Sequence, residues 1–541
     1  MLCRCTDPVG LAARMATGGS KGTGCGLRGE PGRLQQSLLP PNSPLQREFE
    51  VTWYVINGSK LGSLRRAVRK DDGVNNNEMA ALLQELVAIP TISSDPSRRP
   101  DITRSAERIA AELVSRNFAV TIAEDGGALP TVIATRGISQ GIESARVGSA
   151  AGASSAAEAT TSGSGSAHVP TVLLYSHHDV QPTGDPAAWS SDPFTPTRRG
   201  TVVFGRGAGD NTAGIVAHLA AIDAIADMQD PPGIVVVVDG GEEIGSPAFG
   251  DVLAEHLGHL DPDLIIVNDG INYARGVPSL TTSLRGLLDV DVTVSIMEEP
   301  THSGIYGGGV VDAISALARL LATLHGDDGS VAVAGLDAVG VHRAVGADGK
   351  PMLTEAQYRE RLGLYPDVVV AGGDALTGRL WASVAIAVIG IDAPSIAESA
   401  NVIVPSARAR LSVRLPPGIG ADAASAALQD HLRARRPFGA RVTIDVLNAV
   451  EPWANATHPA LVASALERAW GVGVVEMGGG GGIPVVSDFS TAFPRATIAI
   501  TAICDPESNV HGIDENVDLI ELQRAVDAEV EVLRGVGRPG A

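Results

Sequence analysis

Four apolar runs in this chain lead into acids or histidines, and a fifth acid stands at the mouth of a helix. LLYS runs into His177-His178-Asp179, IVVVVDGG into Glu242-Glu243, and LIIV into Asn268-Asp269. IAITAICD is followed by a loop carrying His511, and Asp210 lies just ahead of a helical pattern that begins near Thr212. Taken singly, each is an ordinary helix cap or solvated loop residue. Together, two histidines and three carboxylates suit two divalent cations with one carboxylate shared between them. Imidazole and carboxylate favour Zn²⁺ and, less tightly, Mn²⁺ or Co²⁺. Without cations, so many acids in one crevice would repel one another and take up protons. Two metals about 3.5 Å apart can polarise a carbonyl and make hydroxide from water near neutral pH. That chemistry needs a base that is not itself a ligand, and the adjacent Glu242 and Glu243 could supply one ligand and one base.

These side chains meet only if their strands share a sheet. Residues 172–175, 234–238, 264–267 and 497–503 read as buried strands, and Ile215, Leu219, Ile222 and Ala226 fall at helical spacing between them. Continuous apolar strands alternating with helices predict an α/β fold with a mainly parallel sheet. In such a sheet the ligand crevice lies at the carboxyl ends of the strands, where these acids and histidines fall. Further helices are predicted from residue 79 to Pro90 and over 104–116, with a strand at 118–122. Residues 285–448 read differently, with alternating strands at 287–296, 409–415 and 441–446 and helices at 311–324 and 421–434. The expected organisation is therefore a catalytic domain in two pieces, 79–284 and 449–541, with an α+β unit at 285–448 inserted between them. A low-complexity run at 136–168 reads as a flexible insert. Residues 1–78 read as a poorly ordered extension, or as the product of a misplaced start with Met79 near the true beginning.

Composition narrows the function. The 541 residues hold 41 Lys plus Arg and 62 Asp plus Glu, a formal net charge of −21. Residues 1–78 are themselves cationic, so the remainder is more acidic still. An acidic balance argues against a nucleic-acid or anionic-membrane binder. No apolar run approaches the ~20 residues of a membrane span, and the first residues lack a signal-peptide core. Four Cys give no disulfide framework, and only Cys504 lies beyond the first 78 residues, so the metals are expected to be held by nitrogen and oxygen. A soluble, cytoplasmic protein is the expectation. A nucleotide-binding reading of Gly205-Arg206-Gly207-Ala208-Gly209 fails, because Asp210 stands where the third fingerprint glycine belongs.

HHDVQP, FGRGAGDN, GGEEIGSP, VNDG, THSGIYGG, NVIVPSARARLSVRLPPG and SNVHGIDE occur in this order. Over roughly residues 79–535 the chain thereby resembles the M20 family of metallopeptidases, nearest the carnosinase-like dipeptidase branch. The resemblance implies a zinc-exopeptidase (phosphorylase/hydrolase-like) catalytic domain and a ferredoxin-like lid that also dimerises. It implies two divalent metals per subunit, most naturally Zn²⁺, with His177 and Asp269 on one, Glu243 and His511 on the other, and Asp210 bridging. Asp179 would hydrogen-bond His177, and His178 would point away from it. Glu242 would be the general base for a metal-bridging hydroxide and would then protonate the leaving amine. His302 would reach an active site, in dimers that of the partner subunit, to stabilise the oxyanion. Arg414 would bind the substrate's C-terminal carboxylate, with Asn401, Gly481 and Gly482 as further substrate contacts. The family's cis peptide bond is expected at Asp210–Asn211.

The chain departs from the family pattern in three places. Where relatives commonly read DDKG, this chain has Asp210-Asn211-Thr212-Ala213-Gly214. Glycine replaces the serine of the usual GGSIP loop in Gly480-Gly481-Gly482-Ile483-Pro484, although backbone N–H groups can still bind an anion. Asp514 replaces the usual Asn before Glu515. The implied function is hydrolysis of dipeptides or short peptides by a homodimer, since the lid is too short to stand in for a second subunit. The alternative is an amidohydrolase acting on N-acyl or N-succinyl amino acids at the same site. Asp rather than Glu at 269 favours the dipeptidase. A non-catalytic relative is disfavoured because all five ligand positions and both catalytic acids are present.

Overall fold

The computed structural model describes residues 76–138, 169–336, 354–371 and 376–536. The expectations for 1–75 and for 139–168 lie outside the described residues. The first helix, Asn76–Val87, starts three residues inside the anticipated extension and ends, as expected, ahead of Pro90.

Among the described residues the largest sheet has nine strands. Its spatial order is Ala119–Ala123, Thr131–Arg136, Gly233–Asp239, Thr171–His177, Leu264–Ile271, Thr497–Cys504, Ser279–Leu284 and Trp453–Ala454, with Val475–Gly479 also paired to Ser279–Leu284. The four central strands are parallel, and they are the four read as buried strands in the sequence. The flanks are mostly antiparallel, so the sheet is mixed rather than uniformly parallel. Ala119–Ala123 and Thr131–Arg136 are joined by a short connection, which permits only antiparallel pairing of these two.

Strand periodicity explains why the central strands are apolar throughout. Leu174, Val236 and Ile266 point to one face, where the helices Ala213–Ala224 and Leu519–Gly535 cover them. Leu173, Tyr175, Val235, Val237 and Ile265 point to the other, against Phe249, Val485 and Phe489. Both faces are dry, so every position must be hydrophobic. Tyr175, Phe249 and Phe489 meet edge to face, with centroids 5.5–6.1 Å apart.

A second, four-stranded antiparallel sheet runs Ala385–Asp392, Ser406–Leu415, Gly286–Ser295 and Arg441–Val450, in that order. With the helices Ala313–Leu321 and Ala421–Ala434 it makes a ferredoxin-like βαββαβ unit. Leu288, Val290, Val292 and Val294 are buried against Ala316, Leu317, Leu320, Ala424, Leu428 and Leu432, while the intervening strand residues face away. Ala313–Leu321 buries positions 313, 316, 317 and 320, the one-sided spacing of a helix on a sheet, and Asp312 caps it by accepting the Ser315 N–H at 2.9 Å. The strand Ala385–Asp392 was not foreseen, because it is an exposed edge without clean alternation. The helix Leu376–Ala382, within 285–448, packs away from this unit: Trp381 joins Val475 and Met477 in a separate small cluster. Gly478 admits this contact, since a Cβ there would lie 2.8 Å from that of Trp381.

Candidate metal centre

His177 ends its strand buried, with Nδ1 3.1 Å from the carbonyl oxygen of Asp179. A carbonyl only accepts, so Nδ1 carries the proton and Nε2 is aimed at the acids. Nε2 lies 2.9 Å from Asp210 Oδ1 and 3.4 Å from Asp269 Oδ1. The Asp179 carboxylate, its Oδ1 3.4 Å from His177 Nδ1, supports His177 as anticipated and does something further. Its two oxygens accept the backbone N–H groups of Glu242 and Glu243, at 3.1 and 3.0 Å, and so fix the turn that presents both glutamates. His178 is buried the other way, donating Nε2–H to the Pro130 carbonyl at 2.8 Å.

Asp210 stands at a sharp bend ahead of the helix Ala213–Ala224, and its peptide bond to Asn211 is cis. Its second oxygen, Oδ2, is 3.0 Å from His511 Nε2, which in turn is 3.2 Å from Glu243 Oε2. The two oxygens of one carboxylate thus face two histidines far apart in the sequence. Asn211 accounts for one sequence departure: its amide donates to the Asn268 carbonyl at 2.5 Å and to Asp269 Oδ1 at 2.9 Å. An Asp here could not donate and would add a further negative charge. Gly214 is required alongside, because a Cβ would fall 2.2 Å from Asn211 Oδ1.

Two further supports had gone unassigned. Gln181, within the HHDVQP motif, donates to Glu243 Oε2 at 2.8 Å, leaving Glu243 Oε1 buried and without a protein partner. The buried ion pair Arg206–Glu515 ties the Asp210 bend to the His511 loop. Glu515 accepts the N–H groups of Gly207, Gly209 and Asp210, and Arg206 donates to the carbonyls of His511 and Gly512. His511 is itself held at φ 62°, a left-handed conformation that a histidine adopts only when its loop imposes it.

The site residues shift one another's charge. Burial opposes a proton on His177, but Asp269, Asp179 and Asp210 outweigh it and raise the imidazole well above its ordinary range. Hydrogen bonds to Asp210 and Glu243 raise His511 to about 10. Burial, reinforced by the charge of Asp269, pushes the Glu242 carboxyl well up. Asp269 is likewise raised by burial. Imidazoles and carboxylates that converge this closely favour a cation among them. Donor atoms of His177, Asp210 and Glu243 lie within 4.8 Å of one another, as do those of His177, Glu242 and Asp269. The nitrogen and oxygen donors and the orphaned Glu243 Oε1 fit a divalent-metal site.

The other candidates gather elsewhere. His302 and Asn401 come together on the smaller unit, where Thr301–His302 pairs with Val402–Ile403 and the Ser303 N–H donates to the Asn401 carbonyl at 3.0 Å. His302 is exposed, its Nδ1 accepting the Gly304 N–H. Neither His302 nor Asn401 contacts the acid–histidine cluster. Arg414 lies at the end of Ser406–Leu415, near Arg285, which donates Nε–H to the Gly480 carbonyl at 2.9 Å. Gly481 is open, whereas a Cβ on Gly482 would sit 3.0 Å from the Arg285 carbonyl oxygen. Arg285 had not been singled out, because an arginine at a strand start carries no motif.

Residues 173–535 match peptidase family M20/M25/M40. The chain belongs to this family. It is 32% identical over 375 residues to a cysteinylglycine-S-conjugate dipeptidase of Corynebacterium striatum, covering 68% of this chain and 82% of that one. It is 23% identical over 363 residues to a beta-Ala-His dipeptidase of Mus musculus, covering 64% and 73%. In fold it resembles the di-peptidase Dug1p from Saccharomyces cerevisiae, with TM-score 0.66 and 18% identity over 85% of this chain and 97% of that one. Human carnosine dipeptidase 1 superposes with TM-score 0.65 and 21% identity, covering 85% and 96%. As an M20 peptidase the chain is a metal-dependent hydrolase. No helix among the described residues is long and apolar enough to cross a membrane.

Proposed function

We propose that this M20 peptidase is a dipeptidase with two divalent cations in each subunit, Zn²⁺ foremost and Mn²⁺ or Co²⁺ as substitutes. The observation that carries the reading is the divided Asp210 carboxylate, with Oδ1 2.9 Å from His177 and Oδ2 3.0 Å from His511. His177 and Asp269 would hold one cation, Glu243 and His511 the other, and Asp210 both. When bound, the pair supplies a polarised scissile carbonyl and an acidified water. Glu242 is the non-ligand carboxylate: it takes the water's proton and delivers it to the leaving amine nitrogen. Asp179 positions it through the backbone N–H at 3.1 Å. The relatives act, by their names, on dipeptides, which supports the same substrate class here.

Residues 285–448 would serve as lid and dimerisation unit. Ile305, Tyr306 and Val402 lie exposed around His302, and Val388, Ile389 and Ile391 are exposed on the edge strand. Apolar surface of this kind suits a second copy of the chain, which would bring its His302 and Asn401 to this subunit's site. Arg414, Gly481 and Gly482 would receive the substrate's C-terminal carboxylate. His302→Ala should lower kcat by about 10²–10³-fold, the usual loss for one oxyanion donor. Mixing it with Arg414→Ala subunits should restore activity, because one site of the hybrid is then intact. An unmixable deficit would place both residues in the same subunit. Cys504, free and buried, suits a reducing cytoplasm.

Metal analysis of the purified protein, followed by a screen of dipeptides against N-acyl and N-succinyl amino acids, tests the reading. Bound divalent metal with dipeptide turnover is the expected result. Turnover of an acylated amino acid with every dipeptide inert would replace the dipeptidase by the amidohydrolase.

A further inference from the structure

We propose that Arg285 is a specificity-determining residue, forming with Arg414 a two-guanidinium pocket that selects a dipeptide whose C-terminal residue is itself acidic. This deepens the dipeptidase reading and rests on its placement of the substrate's C-terminus. The strand register carries the argument. Arg414 lies directly opposite Leu287 on the neighbouring strand. Gly286 pairs with Leu415, so Arg285, the residue just before that strand, lies at the same strand end as Arg414.

The rest of that strand face is neutralised. Arg408 pairs with Asp392, and Arg410 holds Asp291 at 2.7 Å. Among the described residues, neither Arg285 nor Arg414 has a carboxylate partner. Arg285 is half-buried and tethered by Nε–H to the Gly480 carbonyl, which leaves its two terminal nitrogens free, one of them 3.4 Å from where a Cβ on Gly480 would stand. Burial, with Arg414 nearby, lowers the Arg285 guanidinium to about 10, which fits two like charges sharing one place. Two unpaired guanidinium groups at a glycine loop form an anion site with more charge than one carboxylate can balance. A peptide's terminal carboxylate leaves one positive charge over. The side chain of a C-terminal Asp or Glu would meet it, and that of a C-terminal Lys would be repelled.

Titration calorimetry of the metal-loaded full chain with glutamate, glycine and lysine, the three products that would occupy this pocket, reads the preference without hydrolysis. Glutamate should bind about tenfold or more tightly than lysine, the scale of one charge-assisted hydrogen bond. Arg285→Gln should abolish the ratio, and Arg285→Lys, which keeps the charge, should keep most of it. In steady-state kinetics Arg285→Gln should raise KM for an X-Glu dipeptide more than it lowers kcat. Equal affinity of the wild-type protein for glutamate and lysine overturns the proposal, even if Arg285→Gln does not fold. So does a folded Arg285→Gln that keeps the wild-type ratio. If no dipeptide is hydrolysed, the dipeptidase reading fails and the glutamate-to-lysine ratio still decides for or against the pocket.

Discussion

Glu242→Gln should lower kcat by about 10²–10⁴-fold, the span that a positioned acid–base group contributes, while metal content measured by elemental analysis stays at the wild-type level. Glutamine has the same shape and keeps the backbone N–H that Asp179 accepts, so the turn bearing Glu243 is undisturbed. What disappears is a proton-accepting oxygen. The site is built to give that oxygen an unusual appetite for a proton: it is buried, and the charge of Asp269 adds to the effect, raising its pKa well above the ordinary carboxyl range. Nearby cations would pull it back, leaving a group able to take a proton and then give it up within one turnover. A Glu242→Gln protein with wild-type kcat would remove Glu242 from the chemistry, and one that also lost metal would recast it as a ligand.

Stripping the metals with a chelator should abolish turnover and lower the melting temperature by an amount that grows with pH. The sign follows from the histidines. In the metal-free protein His511 is raised to about 10, against about 6.5 in an unfolded chain, and His177 is raised as well. A raised histidine contributes its full stabilisation below the unfolded value and loses it as pH climbs through the folded one. The metal-free protein is thus supported by protonated imidazoles near pH 6 and loses that support toward pH 10. The loaded protein behaves oppositely, because a cation must displace those protons and binds more tightly as they leave. With free metal at a thousandfold excess over Kd, each site adds about 4 kcal/mol. Thermal scans of both forms at pH 6, 7.5 and 9 read the gap; a gap independent of pH would mean that the metals do not compete with protons at these histidines.

The parallel strands were legible because burial on both faces leaves an unbroken apolar run, and 172–175, 234–238, 264–267 and 497–503 all lie within strands of the central sheet. Alternation revealed Gly286–Ser295 and Ser406–Leu415 for the opposite reason, one wet face. The edge strand Ala385–Asp392 escaped because an edge exposed over most of its length imposes no pattern. At the site, ligand-type residues announced themselves by chemical type at strand ends. Their supports did not: Asn211 read as a departure although its amide holds Asp269, and Arg285 acquires meaning only from the pairing of Gly286 with Leu415, which brings it to the same strand end as Arg414. Asp179 was singled out, yet its grip on two backbone N–H groups is a tertiary fact that no spacing reveals.

The His511 loop has one more consequence, in the order in which the chain is made. A ribosome delivers His177, Asp210, Glu243 and Asp269 hundreds of residues ahead of His511, and Arg206 waits just as long for Glu515, 309 positions away. Domains fold largely as they emerge, but here the last central strand, Thr497–Cys504, and the loop after it follow the strand they join, Leu264–Ile271, only after the whole of 285–448 has been made. A nascent chain stalled before residue 505 would hold four of the five donors and no closing histidine. On the proposed ligand set, such a chain lacks one ligand of the second cation and the Glu515 carboxylate that braces the Asp210 bend.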